Sequence, residues 1–263
     1  MDGSYLFKGY GAHVRVDAPV DIPLHDLRSQ VAPELAVQQC GEGPSDLHLT
    51  RWNGEYHLLY GQRRYGPYRT LQNALRGVSN GIHFVIGKRS PLTFLHAGAV
   101  EIDGCAVVFP GRSRWGKSRL VSSLVAQGCG YLSDEYAVVS PEGCVFPLSK
   151  PIRLRAENSE VGYYVDHGAA SAPGGFPCAA VILTRFEEGA VWNPQPVTSG
   201  QAALDTLPSA LQSRDEADQV LHAIAALVAN ASCYRGPRGS GEPTADMLRG
   251  LIEIESSSHE VRA

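Results

Sequence analysis

At 263 residues, with 43% hydrophobic and 19% charged residues, the chain can bury one large core, or one core and a smaller appendage. A formal net charge of -4 argues against a dedicated nucleic-acid binder while leaving room for local basic patches. No stretch approaches the roughly eighteen apolar residues of a membrane span, and the opening MDGSYLFKGYGAHVRV lacks the layout of a signal peptide. No membrane partner is therefore expected, and the cytoplasm is the expected location.

In chain order, the first clear element is DLHLTRWNGEYHLLYG, two alternating runs joined by Asn53-Gly54, which predicts a hairpin with a type I′ turn. The segment GPYRTLQNALRGVSNGIHFVIGKR then changes period, with Leu71, Leu75 and Val78 on one helical face. Residues 1–85 read as a small α+β unit and 86–263 as the main domain. In the latter, TFLHAGAVEIDGCAVVFPG holds two apolar runs around Asp103-Gly104, predicting a second hairpin. GKSRLVSSLVAQG follows as a helix with Leu120, Leu124 and Val125 on one stripe and Gly128 as its stop. Further on, FPCAAVILTRF reads as a buried strand, and ADQVLHAIAALVANA and PTADMLRGLIEI as helices. Cys40, Cys105, Cys129, Cys144, Cys178 and Cys233 are scattered without metal-ligand spacing, which predicts reduced, mostly buried thiols.

The stretch FPGRSRWGKSRLV carries chemistry. Gly111, Gly116, Lys117 and Ser118 have the spacing of a phosphate-binding loop, set between a strand and a helix as that motif requires. Glycines let successive N–H groups turn inward on an anion, and the following helix adds its positive end. Lys117 would reach the β- and γ-phosphates and Ser118 would offer its hydroxyl to magnesium. After a short strand come Asp134 and Glu135, paired carboxylates able to hold magnesium or accept a hydroxyl proton. An Asp-Glu pair in a loop is otherwise ordinary solvated surface. His96, upstream, returns to the loop if the two intervening runs pair; by itself it is equally a structural residue or a proton carrier.

The order His96-Ala97-Gly98, Gly111 to Ser118, Gly128, Asp134-Glu135 resembles the catalytic domain of the HPr kinase/phosphorylase family. The resemblance is good over residues 94–140 and loose elsewhere. It implies an α/β fold: a P-loop-containing HPr kinase C-terminal-like domain, related to the phosphoenolpyruvate carboxykinases, behind the small N-terminal α+β unit. It further implies a phosphotransferase using ATP and Mg2+ on the serine hydroxyl of a peptide or protein, and a homo-oligomer of the kind common in that family. The loop Gly111, Arg112, Ser113, Arg114, Trp115, Gly116, Lys117, Ser118 and Arg119 would then bind nucleotide. Ser118, Asp134 and Glu135 would hold the metal, one carboxylate would act as base, and His96 would assist electrostatically.

HAGAV, GRSRWGKS, YLSDEYAVV and FPLSKPIRLR are similar to the smaller stand-alone relatives, some of which phosphorylate natural-product precursor peptides such as those of lasso peptides. In the last stretch Arg153 and Arg155 alternate with apolar residues, so they would share one strand face and clamp phosphates, or form an exposed basic face. Arg112, Arg114 and Trp115 stand where the family carries small or acidic residues, which points to extra phosphate contacts or a different acceptor surface. A Glu-Ile-Arg-Gly stretch, tied to the reverse phosphorylase reaction, is lacking. Two other functions share these motifs: an accessory protein that holds ATP without transferring phosphate, and a kinase for a small alcohol such as free serine.

Overall fold

The computed structural model describes residues 2–41, 43–155, 162–165, 174–212, 216–240 and 243–260. The chain forms two compact units, Met1–Leu92 and Thr93–Ala263.

The first unit begins with β1 (Asp2–Gly9) and β2 (Ala12–Pro19), joined at Tyr10 and Gly11, both at positive φ. Then come α1 (Leu24–Ser29), β3 (Ala36–Gln39), β4 (Leu47–Trp52), β5 (Glu55–Tyr60), β6 (Arg63–Tyr68) and α2 (Leu71–Arg89). The strands make a mixed six-stranded sheet, ordered β3-β1-β2-β4-β5-β6, with β2 and β4 parallel. Asn53 and Gly54, at φ 50° and 81°, make the expected turn between β4 and β5. Thr70 caps α2 by accepting from the Asn73 N–H, and the helix buries Leu75 and Val78 as its spacing predicts, with Ile82, Val85 and Ile86 continuing the stripe. Because α2 continues to Arg89, the units divide at Leu92 rather than near residue 85.

The second unit opens with β7 (Thr93–Ile102) and β8 (Cys105–Pro110), paired antiparallel across Asp103 and Gly104 at φ 51° and 83°. After α3 (Lys117–Ala126) come the short strands β9 (Gly130–Ser133), β10 (Tyr136–Val139), β11 (Val145–Phe146), β12 (Ile152–Arg155) and β13 (Gly162–Val165). Then follow β14 (Cys178–Phe186), β15 (Gln195–Pro196), α4 (Ser199–Thr206) with a 3-10 turn at Leu207–Ser209, α5 (Ala217–Ala229), β16 (Ser232–Arg238) and α6 (Ala245–Glu260). The central mixed sheet runs β11-β10-β7-β8-β14-β16-β15, with β9 also pairing β7; β8, β14 and β16 are mutually parallel. A separate two-stranded sheet joins β12 and β13.

Apolar residues of β7 and β8 alternate between two cores, as strands covered on both faces require. Val100, Val107 and Phe109 pack with Leu120, Val121 and Leu124 of α3 and Leu248 of α6. Ala97, Ala99, Ala106 and Val108 pack with Ala202 of α4 and Ile224 and Leu227 of α5. The unit is thus a helix-sheet-helix sandwich. Gly128, at φ 95°, ends α3 in a Schellman motif: its N–H bonds the Val125 carbonyl and the Cys129 N–H bonds that of Leu124. No disulfide joins any of the six cysteines, but only Cys129 and Cys233 are buried and the other four are half-exposed. No helix among the described residues is long and apolar enough to cross a membrane.

Candidate active site

The loop Gly111–Gly116 leaves the carboxyl end of β8 and delivers the chain into α3, whose first residue is Lys117. Arg114 and Gly116 lie in the left-handed region, at φ 71° and 81°, and give the loop its curl. A non-glycine residue held at positive φ beside a helix N-terminus marks a loop shaped for more than connection. Trp115 folds over the loop's own start; a Cβ on Gly111 would lie 2.7 Å from its ring. Arg112, Ser113, Arg114 and Arg119 are exposed, and Ser118 is half-buried in the first turn of α3.

Lys117 is buried, and its ammonium donates to the Gly111 carbonyl at 2.8 Å and the Arg112 carbonyl at 2.9 Å. Burial lowers its pKa to about 8, against the pull of the Asp134 charge. Gly98 explains how a helix comes this close to the sheet: a Cβ there would sit 2.7 Å from Val121 Cγ2 and 3.7 Å from Lys117 Cβ. The small residue in the His96-Ala97-Gly98 run lets α3 settle on β7.

β7 also carries in the other two groups. Ala97 lies opposite Pro110, so His96 reaches the loop's first glycine, whose N–H bonds the His96 carbonyl at 3.2 Å. On its other edge β7 pairs with β9 and β10, the strands flanking the acidic pair; Ala99 faces Ser133 and His96 faces Tyr136. The Ser133 hydroxyl accepts the N–H groups of Glu135 at 3.2 Å and Tyr136 at 3.0 Å, fixing the tight turn that presents Asp134. Asp134 is only 8% exposed, and the Tyr131 hydroxyl lies 3.2 Å from its Oδ1 and 2.8 Å from the Lys150 carbonyl. Glu135 makes a close ion pair with Lys150. The two carboxylates therefore stand in different environments.

His96 is held neutral. Burial is the main cause, the charges of Lys117 and Lys150 add to it, and a hydrogen bond to the Gly111 backbone works the other way, leaving a pKa of about 4. Near pH 7 the ring is therefore a neutral dipole and not a cation.

Spacing in the sequence gives no sign of Arg238, the last residue of β16. It is 4% exposed, its Nη2 donates to the Gly116 carbonyl at 2.6 Å, and its guanidinium lies over the Phe186 ring at 5.9 Å. A Cβ on Gly116 would lie 2.6 Å from that Nη2. The Phe186 N–H also bonds the Trp115 carbonyl at 3.2 Å. The loop is thus braced at its helix end by the ends of β14 and β16. Tyr131, Ser133 and Lys150 orient the acidic pair; they lie in the stretches YLSDEYAVV and FPLSKPIRLR, which by themselves give no sign of that role.

Arg153 and Arg155 lie in β12, opposite Tyr164 and Gly162, and their side chains fall outside the described residues. Among the described residues no three His, Cys, Asp or Glu side chains converge as a metal site. The Ser118 hydroxyl and the Asp134 and Glu135 carboxylates are oxygen donors, the class that hard divalent cations take. Neither a scan against protein-family models nor a search of curated proteins returns a match for this chain.

Proposed function

We propose that the chain is an ATP- and magnesium-dependent kinase with an HPr kinase-like, P-loop-containing second unit, transferring the γ-phosphoryl group to a serine or other alcohol on a peptide or protein. The observation that carries this reading is a buried lysine at a strand-loop-helix junction with a buried carboxylate brought beside it by a neighbouring strand. Burial without a tight ion pair suits a lysine that must meet phosphate.

Each residue has a task in this reading. Loop N–H groups and the amino end of α3 cradle the phosphates, and Lys117 exchanges its two carbonyl contacts for the oxygens of the transferred group. Ser118 and the acidic pair would hold magnesium, which would supply charge neutralisation to the phosphates. Asp134 takes the acceptor's proton, while Glu135 is engaged by its ion pair with Lys150. The bond from the γ-phosphorus to its bridging oxygen breaks as the bond to the acceptor oxygen forms, and ADP leaves with the electron pair. Neutral His96 orients polar groups near the reacting end and adds no positive charge.

Calorimetric titration with magnesium-ATP tests the binding half of this reading. Wild-type protein should bind and Lys117→Ala should lose that binding; a folded Lys117→Ala protein that binds equally well removes the basis of the proposal.

A further inference from the structure

A cleft of about 570 Å³ opens at the carboxyl ends of β8, β14 and β16, beside the loop. Ligand crevices in open α/β sheets form at such strand ends. Gly111, Arg112 and Trp115 form its wall on the loop side, and His96 also borders it. Gly111 and Arg112 are the residues whose carbonyls receive the Lys117 ammonium, so the cleft adjoins the reacting end of the loop. Ser118 and Arg119, where the phosphate chain would continue toward the nucleoside, do not line it.

The walls have a definite chemistry. Trp115, Leu183 and Leu204 give apolar surface, and Leu204, on α4, is 65% exposed. The two carboxylates, Asp205 and Glu187, are already paired with Arg235 and Arg185. Neither is left to attract a cationic residue. Thr184 borders the cleft and is 5% exposed, and its buried hydroxyl has no hydrogen-bond partner among the described residues.

We infer that this cleft is the acceptor site and that it selects a peptide in which the phosphorylated hydroxyl is flanked by a bulky aliphatic side chain. The aliphatic group seats among Trp115, Leu183 and Leu204. The assignment rests on the kinase reading: phosphoryl passes from ATP to the peptide oxygen, the hydroxyl proton passes to Asp134, and ADP leaves.

The test uses the full chain, magnesium-ATP and four peptides identical except that the residue beside a single serine is Leu, Gly, Glu or Lys. The Leu peptide should be phosphorylated with a kcat/KM at least tenfold above the other three. Leu204→Glu, a change on an exposed helix face that leaves the fold intact, should cost the Leu peptide at least tenfold, through KM, while ATP affinity holds. Equal use of all four peptides, phosphorylation of none by protein that binds ATP, or wild-type kinetics in Leu204→Glu would overturn the assignment. A tenfold loss of ATP affinity in Leu204→Glu would also overturn it, by giving the cleft to the nucleoside. Wild-type protein that binds no magnesium-ATP would overturn the kinase reading, and this assignment with it.

Discussion

Raising the pH from 7 to 9 should weaken magnesium-ATP binding through one residue, Lys117. Burial draws its pKa from 10.5 to about 8 in the free protein, with the Asp134 charge opposing the shift. Bound phosphate would stabilise the ammonium and lift that pKa well above 9, so binding must recruit a proton wherever the free lysine has lost one. With a free pKa of about 8, uptake is about 0.1 proton at pH 7, 0.5 at pH 8 and 0.9 at pH 9. The apparent affinity falls about twofold at pH 8 and about tenfold at pH 9 relative to the fully charged lysine. Phosphate oxygens, with a second pKa near 6, contribute little in this window. Calorimetry in two buffers of different ionisation heat reads the uptake directly. Lys117→Arg keeps its charge at all these pH values and should show none. Uptake that is flat from pH 7 to 9, or equal in wild type and Lys117→Arg, would mean that Lys117 is not the group that gains the proton.

Other expectations follow from the same geometry. Gly98→Ala drives a methyl to 2.7 Å from Val121 Cγ2 and should cost about 1–3 kcal/mol by denaturant unfolding; unchanged stability would mean that α3 does not rest tightly on β7. Arg238→Met strips the Gly116 carbonyl of its charged donor, so magnesium-ATP affinity should fall several-fold with a stability loss of about 1–3 kcal/mol, and wild-type values for both would contradict the bracing role. His96 has a folded pKa of about 4 against 6.5 unfolded, so the unfolded chain binds more protons between those values and stability falls as pH drops through that window. The loss is at most about 3 kcal/mol, and His96→Gln should flatten the unfolding curve over pH 4–6.5.

Local features were legible in the sequence because their signals are local. Asn53-Gly54 and Asp103-Gly104 both adopt the positive φ values their residue types favour, and the glycine-bounded loop sits between a strand and a helix as its motif requires. The β1-β2 turn escaped because Tyr10 occupies a left-handed position that tyrosine seldom signals. The parallel pairing of β2 with β4 depends on side-chain packing across the sheet and has no marker at either strand. In the site, His96 comes to the loop through the hairpin that Asp103-Gly104 signals, whereas Asp134 was expected there on the family resemblance and not from strand pairing. Arg238, Thr184 and Leu204 could not be placed there, since they come from distant strands and a helix that meet the loop only after the whole sheet is assembled. The unequal surroundings of Asp134 and Glu135 were equally hidden, for they depend on Tyr131 and Lys150.

Phosphoryl transfer itself is read by mass spectrometry of the protein incubated with magnesium-ATP and a pool of serine peptides. Wild-type protein should yield ADP and phosphopeptide in equal amounts, and an Asp134→Asn protein that still binds nucleotide should yield neither. Phosphopeptide formed equally well by Asp134→Asn, or nucleotide bound by wild-type protein with no acceptor ever phosphorylated, would contradict this expectation.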